Sequence, residues 1–151
     1  MKFELEHVFA VDPERLWASL MDVHVVAACI TGASEVEELG PDHYAGTLQV
    51  KMGPVALSFG GEVRVTLRDG ENYRGEFEAS AKDGRAGGGF TSLLRMQLTQ
   101  TGDSTMLSLE LDSTVLGKIG EFGQPLIRRR IERMLKEFAG RLEAVVLGGN
   151  P

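Results

Sequence analysis

The sequence predicts an α+β fold in which a curved antiparallel sheet of about seven strands wraps around one long C-terminal helix, with two short helices after the first strand. Three observations carry this. Period-2 alternation of apolar and polar residues runs through most of residues 34–116, turn dipeptides punctuate it, and a 3.6-residue apolar stripe takes over near Pro125.

Strand one covers about residues 2–10, where Phe3, Leu5, His7 and Phe9 alternate with Lys2, Glu4, Glu6 and Val8. Asp12-Pro13-Glu14 then supplies an N-cap, a proline at the first helical position and an acid in the first turn, each suited to the exposed amides of a helix start. Leu16, Trp17 and Leu20 form the apolar stripe of that helix. Asp22 caps a second short helix carrying Val25, Val26 and Cys29, and Gly32 ends it.

Six strands follow. Tyr44, Gly46, Leu48, Val50 and Met52 share one face, and Gly53-Pro54 is a turn. Val55, Leu57, Phe59, Gly61, Val63, Val65 and Leu67 alternate with Ser58, Glu62, Arg64, Thr66 and Arg68 over a run about twice the usual strand length. A bulge or sharp coil is expected at Gly60-Gly61 in its middle. Asp69-Gly70 turns the chain into Tyr73, Gly75, Phe77, Ala79 and Ala81, and Asp83-Gly84 turns it again. Phe90, Ser92, Leu94, Met96 and Leu98 form the next inward set, and Thr105, Leu107, Leu109, Leu111, Ser113 and Val115 the last. Short turns throughout predict an antiparallel meander with one polar and one apolar face. A helix from about Pro125 to Leu147 covers the apolar face, since Ile127, Ile131, Met134, Phe138, Leu142 and Val145 recur at spacings of 4, 3, 4, 4 and 3.

Length and composition bound the function. The 151 residues fit one domain, assigned to residues 1–147, with 148–151 as a flexible tail. Sixteen basic against twenty-two acidic residues disfavour non-specific nucleic-acid binding, which needs a basic surface. The N-terminus lacks the apolar run of an export signal and the longest apolar stretch, Val25 to Ile30, is far too short for a bilayer, so a cytoplasmic location is expected. One cysteine, Cys29, rules out an internal disulfide.

Catalytic chemistry finds few performers. Glu4, Glu6, Glu62, Glu76, Glu78 and Glu110 alternate onto the polar face, leaving no inward pair of acids for general acid–base work. Cys29 sits in an apolar stretch without a basic neighbour and reads as buried and inert. His24 and His43 have no companions at metal-ligand spacing, so no metal and no cofactor are expected. His7 lies on the apolar face, either as a polar handle in a cavity or as a hydrogen-bonded core residue. Gly84 to Phe90 is glycine-rich, but a strand follows where a phosphate loop needs a helix; tight sheet curvature or a flexible rim explains it. Gly117, Gly120 and Gly123 read as close packing on a strand, or as a hinge for the helix start. Tyr44, Tyr73, Ser92, Thr105 and Ser113 join His7 as inward polar groups able to orient a ligand carbonyl or hydroxyl.

Several local strings resemble a known family. Pro13-Glu14-Arg15-Leu16-Trp17, Asp22 with Ala28-Cys29-Ile30-Thr31-Gly32, Lys51-Met52-Gly53-Pro54-Val55 followed by Phe59-Gly60-Gly61, and Val115 to Gly123 are similar, in order, to blocks of the CoxG family of carbon monoxide dehydrogenase subunits, within the START-like SRPBCC superfamily. Thr31 stands where the family has proline, and Gly120 where alanine is usual. The resemblance implies the helix-grip fold and an accessory protein of molybdenum hydroxylases such as CO dehydrogenase, binding a hydrophobic ligand and helping attach the enzyme to the membrane.

The expected function is therefore a non-enzymatic carrier with an apolar cavity for a quinone- or lipid-like molecule. His7, Leu48, Met52, Leu57, Phe59, Phe77, Phe90, Leu94, Leu109, Phe122 and Leu126 are the candidate cavity residues. The alternatives are a cyclase- or aromatase-type enzyme using His7 or a tyrosine, and a docking protein with a filled core. Lys118 to Leu147 carries seven basic and four acidic residues, leaving −9 elsewhere, and Arg128, Arg129 and Arg133 are the candidate patch for anionic headgroups or a partner; a solvated helix face is the plainer reading.

Overall fold

The computed structural model describes residues 1–85 and 87–148. In chain order it contains β1 (Lys2–Phe9), α1 (Pro13–Leu20), α2 (Val23–Cys29), β2 (Ala33–Gly40), β3 (His43–Met52), β4 (Val55–Asp69), β5 (Arg74–Asp83), β6 (Gly88–Thr101), β7 (Ser104–Gly117), a 3-10 turn η1 (Lys118–Phe122) and α3 (Gln124–Gly148). The strands form one antiparallel sheet in the order β1-β7-β6-β5-β4-β3-β2. The meander from β2 to β7 thus closes back on β1, and α1 and α2 bridge between the two edges. Gly148 is the last residue of α3, and the rest of the expected tail, 149–151, lies outside the described residues.

The caps work as their residue types dictate. The Asp12 carboxylate accepts from the Arg15 amide at 2.8 Å, and that of Asp22 from the His24 amide at 3.0 Å, so each short helix starts with satisfied donors. Pro125 falls in the first turn of α3, where its missing N–H costs nothing, and η1 precedes it as a separate turn. At 25 residues α3 is about 37 Å long, enough to traverse the sheet.

The long strand corrects two expectations. Pairing of β4 with β3 and β5 runs without a shift through Gly60 and Gly61; the bulge lies between Val65 and Leu67. Gly61 instead allows close approach, because a Cβ there would stand 2.2 Å from the Ser80 carbonyl oxygen and 2.6 Å from the Ala81 Cβ. Beyond the bulge the alternation inverts, so Arg68 opposes Gly75 rather than an outward residue. Its guanidinium bonds the Asp42 carboxylate at 2.7 Å and reaches the Met21 carbonyl at 3.4 Å, tying the strand to the end of α1.

Candidate functional site

The apolar interior is divided. One cluster joins Phe9, Leu16, Leu20, Cys29, Leu98, Leu107, Leu142 and Val146, with Leu135, Phe138 and Val145 packed against it. The other joins Val50, Met52, Leu57, Phe59, Ile119 and Ile127, with Ile131 and Met134 packed against it. Helix α3 passes from the second cluster to the first between Met134 and Leu135.

Strand register places small side chains between the clusters. Val63, Ala79, Ser92 and Ser113 stand opposite one another across β4 to β7, and Gly61 and Ala81 form the adjoining pair. The Ser92 and Ser113 hydroxyls bond each other at 2.7 Å, so this row presents short chains whose polar atoms are already satisfied. On one side of the row the β5–β6–β7 triplet is Phe77, Leu94 and Leu111; on the other it is Ala81, Phe90 and Val115. All six are half-buried although they point inward. Five of them pack against one or the other cluster, Phe90 edge-on to Phe59 at 5.1 Å, and still keep some accessible surface at the row.

The candidate cavity residues divide between the two sides. Met52, Leu57 and Phe59 are buried in the second cluster, against which Leu48, Phe90, Phe122 and Leu126 pack. Leu109 is buried in the first, with Phe77 and Leu94 against it. His7 also points inward, but its Nε2 bonds the Glu143 carboxylate on α3 and its ring lies 4.7 Å from that of Phe9. It fastens β1 to the helix, which is the hydrogen-bonded reading of this residue. Thr105 is fully buried and donates to the Val11 carbonyl at 2.8 Å, and Tyr73 meets Trp17 edge-on at 5.9 Å. Both belong to packing. Cys29 is 1% exposed, and burial pushes its thiol pKa up against the opposing pull of Arg141, so it stays a protonated core residue.

Charged groups line both flanks of α3. On the β1 flank Arg128 lies over the Phe3 ring at 4.7 Å and donates to the Lys2 carbonyl at 3.2 Å, spanning a groove of about 350 Å³. Arg129 and Arg133 are exposed, so of the candidate patch two guanidiniums are solvated and one is also engaged with β1. On the opposite flank Arg130 donates from Nε to the Lys51 carbonyl at 3.2 Å, and Thr31 donates to Glu137 at 2.7 Å. The outer polar face of the sheet carries a shallow groove of about 440 Å³ that includes Glu62, Arg64, Glu78 and Asp112.

The partners of Glu137 and Glu143, and the buried role of Asp83 beyond its place in a turn, escaped the sequence reading. Asp83 is buried and accepts from the Ser58 and Arg85 amides at 2.7 and 2.8 Å, bracing the tips of β4 and β5. Extending the inward parity of Phe77, Ala79 and Ala81 by one step would have found it. The two glutamates had no such signal, because their partners come from segments more than a hundred residues away. Among the described residues no group of three or more His, Cys, Asp or Glu side chains is arranged to hold a metal, and no helix is long and apolar enough to cross a membrane.

The family model of the CoxG subunits of carbon monoxide dehydrogenase matches residues 6–147. No curated protein matches the chain by sequence. Among solved structures, a conserved protein from Geobacillus kaustophilus superposes with a TM-score of 0.90 at 20% identity, over 100% of this chain and 98% of that one. A START superfamily protein from Mycobacterium smegmatis gives 0.72 at 15% identity over 97% of both chains. The Zhui aromatase/cyclase from Streptomyces sp. R1128 gives 0.66 at 18% identity over 100% and 99%. These likenesses establish a START-like fold.

Proposed function

The chain belongs to the CoxG family of carbon monoxide dehydrogenase subunits, and from that premise we propose that it is a non-enzymatic carrier holding an apolar small molecule, quinone- or lipid-like, between the sheet and α3. The observation that carries this reading is the divided core. Two apolar clusters face each other across a row of Val63, Ala79, Ser92 and Ser113, short side chains bordered by half-buried Phe77, Phe90 and Leu94. A flat or chain-like molecule there removes those aromatic and leucine surfaces from water, at roughly 25 cal/mol per Å².

Carriage is favoured over turnover by the state of the inward polar groups. His7 is bound to Glu143, Ser92 to Ser113 and Thr105 to a backbone carbonyl, so each has a partner within the fold. The family name points to a carbon monoxide dehydrogenase as the partner that supplies or receives the molecule. In this reading the protein works in the cytoplasm, and the exposed Arg129 and Arg133 give it a weak contact with the anionic inner membrane face or with that partner.

Native mass spectrometry of freshly purified protein tests the proposal. A retained lipophilic adduct released by organic solvent is the expected result. A protein that carries no adduct and takes up neither a quinone nor a lipid on titration would instead be a docking protein with a filled core, and conversion of an added polyketide-type substrate would favour the cyclase alternative.

A further inference from the structure

Arg130 differs from its neighbours on α3. Its Nε donates to the Lys51 carbonyl at 3.2 Å, but Nη1 is buried and has no hydrogen-bond acceptor among the described residues. Glu137 Oε1 stands 3.9 Å from it, inside ion-pair range and outside a hydrogen bond. A buried donor left without an acceptor is costly, and native folds seldom tolerate one without a use. Helical spacing puts Leu126 and Met134 four residues to either side of Arg130 on the same face, and both pack against the second apolar cluster. The unmet N–H thus stands at the border of that cluster.

We infer that Arg130 Nη1 is the polar anchor of the carried molecule and takes a neutral carbonyl oxygen, as in a ketone, quinone, ester or amide. The inference rests on the carrier reading above. Glu137 decides the charge of the acceptor. The Thr31 hydroxyl holds its carboxylate in place at 2.7 Å, so the pair is close to electrically neutral and offers a second carboxylate little net attraction, while the Nη1 N–H groups remain free for an uncharged oxygen. This flank of α3 is also distinct from the β1 flank, where His7–Glu143 and Arg128–Lys2 consume the polar groups between them.

Three matched probes, 2-ethylnaphthalene, 2-acetylnaphthalene and 2-naphthoate, test the assignment by equilibrium titration of the full chain. Raw affinities mix hydrophobicity with anchoring, so the readout is the ratio of the ethyl to the acetyl dissociation constant. Arg130→Met should lower that ratio about tenfold, the worth of one charge-assisted hydrogen bond, with 2-ethylnaphthalene binding unchanged. Glu137→Gln should tighten 2-naphthoate about tenfold and leave 2-acetylnaphthalene within about twofold. If Arg130→Met fails to fold, Arg130→Lys keeps the charge without the fork and should lower the same ratio. An unchanged ratio in a variant that still binds both neutral probes overturns the anchor alone. Failure of the wild type to bind any of the three overturns the carrier reading, and the anchor with it.

Discussion

The two halves of α3 are packed differently. Its C-terminal half enters a cluster whose members range from 0% to 8% exposed, with Phe9, Leu16, Leu107 and Leu142 at 0%, closed off by α1, α2 and β1. Its N-terminal half enters a cluster whose members keep 3% to 7%, closed off by η1, which is bounded by Gly117 and Gly123 at φ +68° and +87°. The first is a foundation that many elements share. The second is a smaller assembly at the end of a strand, next to the row of short side chains. On the carrier reading one end stays rigid while the other opens more readily, and burial along α3 itself is graded in that sense, from Ile127 at 6% to Leu142 at 0%.

The largest test of the contrast is truncation at each end. Leu142→Ala should cost about 3–5 kcal/mol and Ile127→Ala about 2, read by urea denaturation, because the better packed site leaves the less relaxed cavity. Equal losses would erase the distinction. Next comes the glycine pair at the junction. A Cβ on Gly117 would sit 2.5 Å from the Gly87 carbonyl oxygen at positive φ, so Gly117→Ala should cost about 2 kcal/mol or more, whereas Gly120 has nothing within 4 Å and Gly120→Ala should be neutral within about 1 kcal/mol. Thermal unfolding of both variants sharpens or removes the idea that this end is held by backbone contact.

His7→Ala comes third, at about 1 kcal/mol of stability through the lost bond to Glu143, with a modest effect on ligand affinity. A loss of some measurable turnover would contradict the structural role. The smallest effect concerns the patch. Removing Arg128, Arg129 and Arg133 as glutamines should weaken cosedimentation with anionic vesicles at low salt, with about 1 kcal/mol per free arginine and screening over about 8 Å at physiological salt. Because Arg128 is held by Phe3 and Lys2, the Arg129→Gln, Arg133→Gln pair should reproduce most of the loss. Equal binding by all three proteins would reduce the patch to a solvated helix face.

Local periodicity made the architecture legible. The alternations through Leu48–Met52, Phe77–Ala81 and Leu107–Val115 name the inward face because side chains alternate along a strand, and the stripe from Ile127 to Val145 names the covering helix. What failed was local too: the glycines at 60 and 61 looked like a bulge, yet the shift sits at Val65 and Leu67, where no residue type signals it. The apolar interior was legible as a list of inward residues. Its division into two sides was not, since that depends on which inward residues stand opposite which, and the register of long strands is set by the whole sheet. Arg130 stands beside Ile131 of the stripe, and no pattern in the sequence singles it out. Its meaning comes from Lys51, Glu137 and Thr31, and no spacing rule links those positions.

Ala79→Phe tests the space between the cores most directly, because Ala79 sits in the middle of the row of short side chains and engages in no side-chain hydrogen bond that the change would break. If the row borders a ligand space, the phenyl group fills it: the melting temperature holds or rises while 2-acetylnaphthalene binding is lost. If the interior is already packed there, the same substitution overfills it, stability falls by about 1–3 kcal/mol, and probe binding is unaffected.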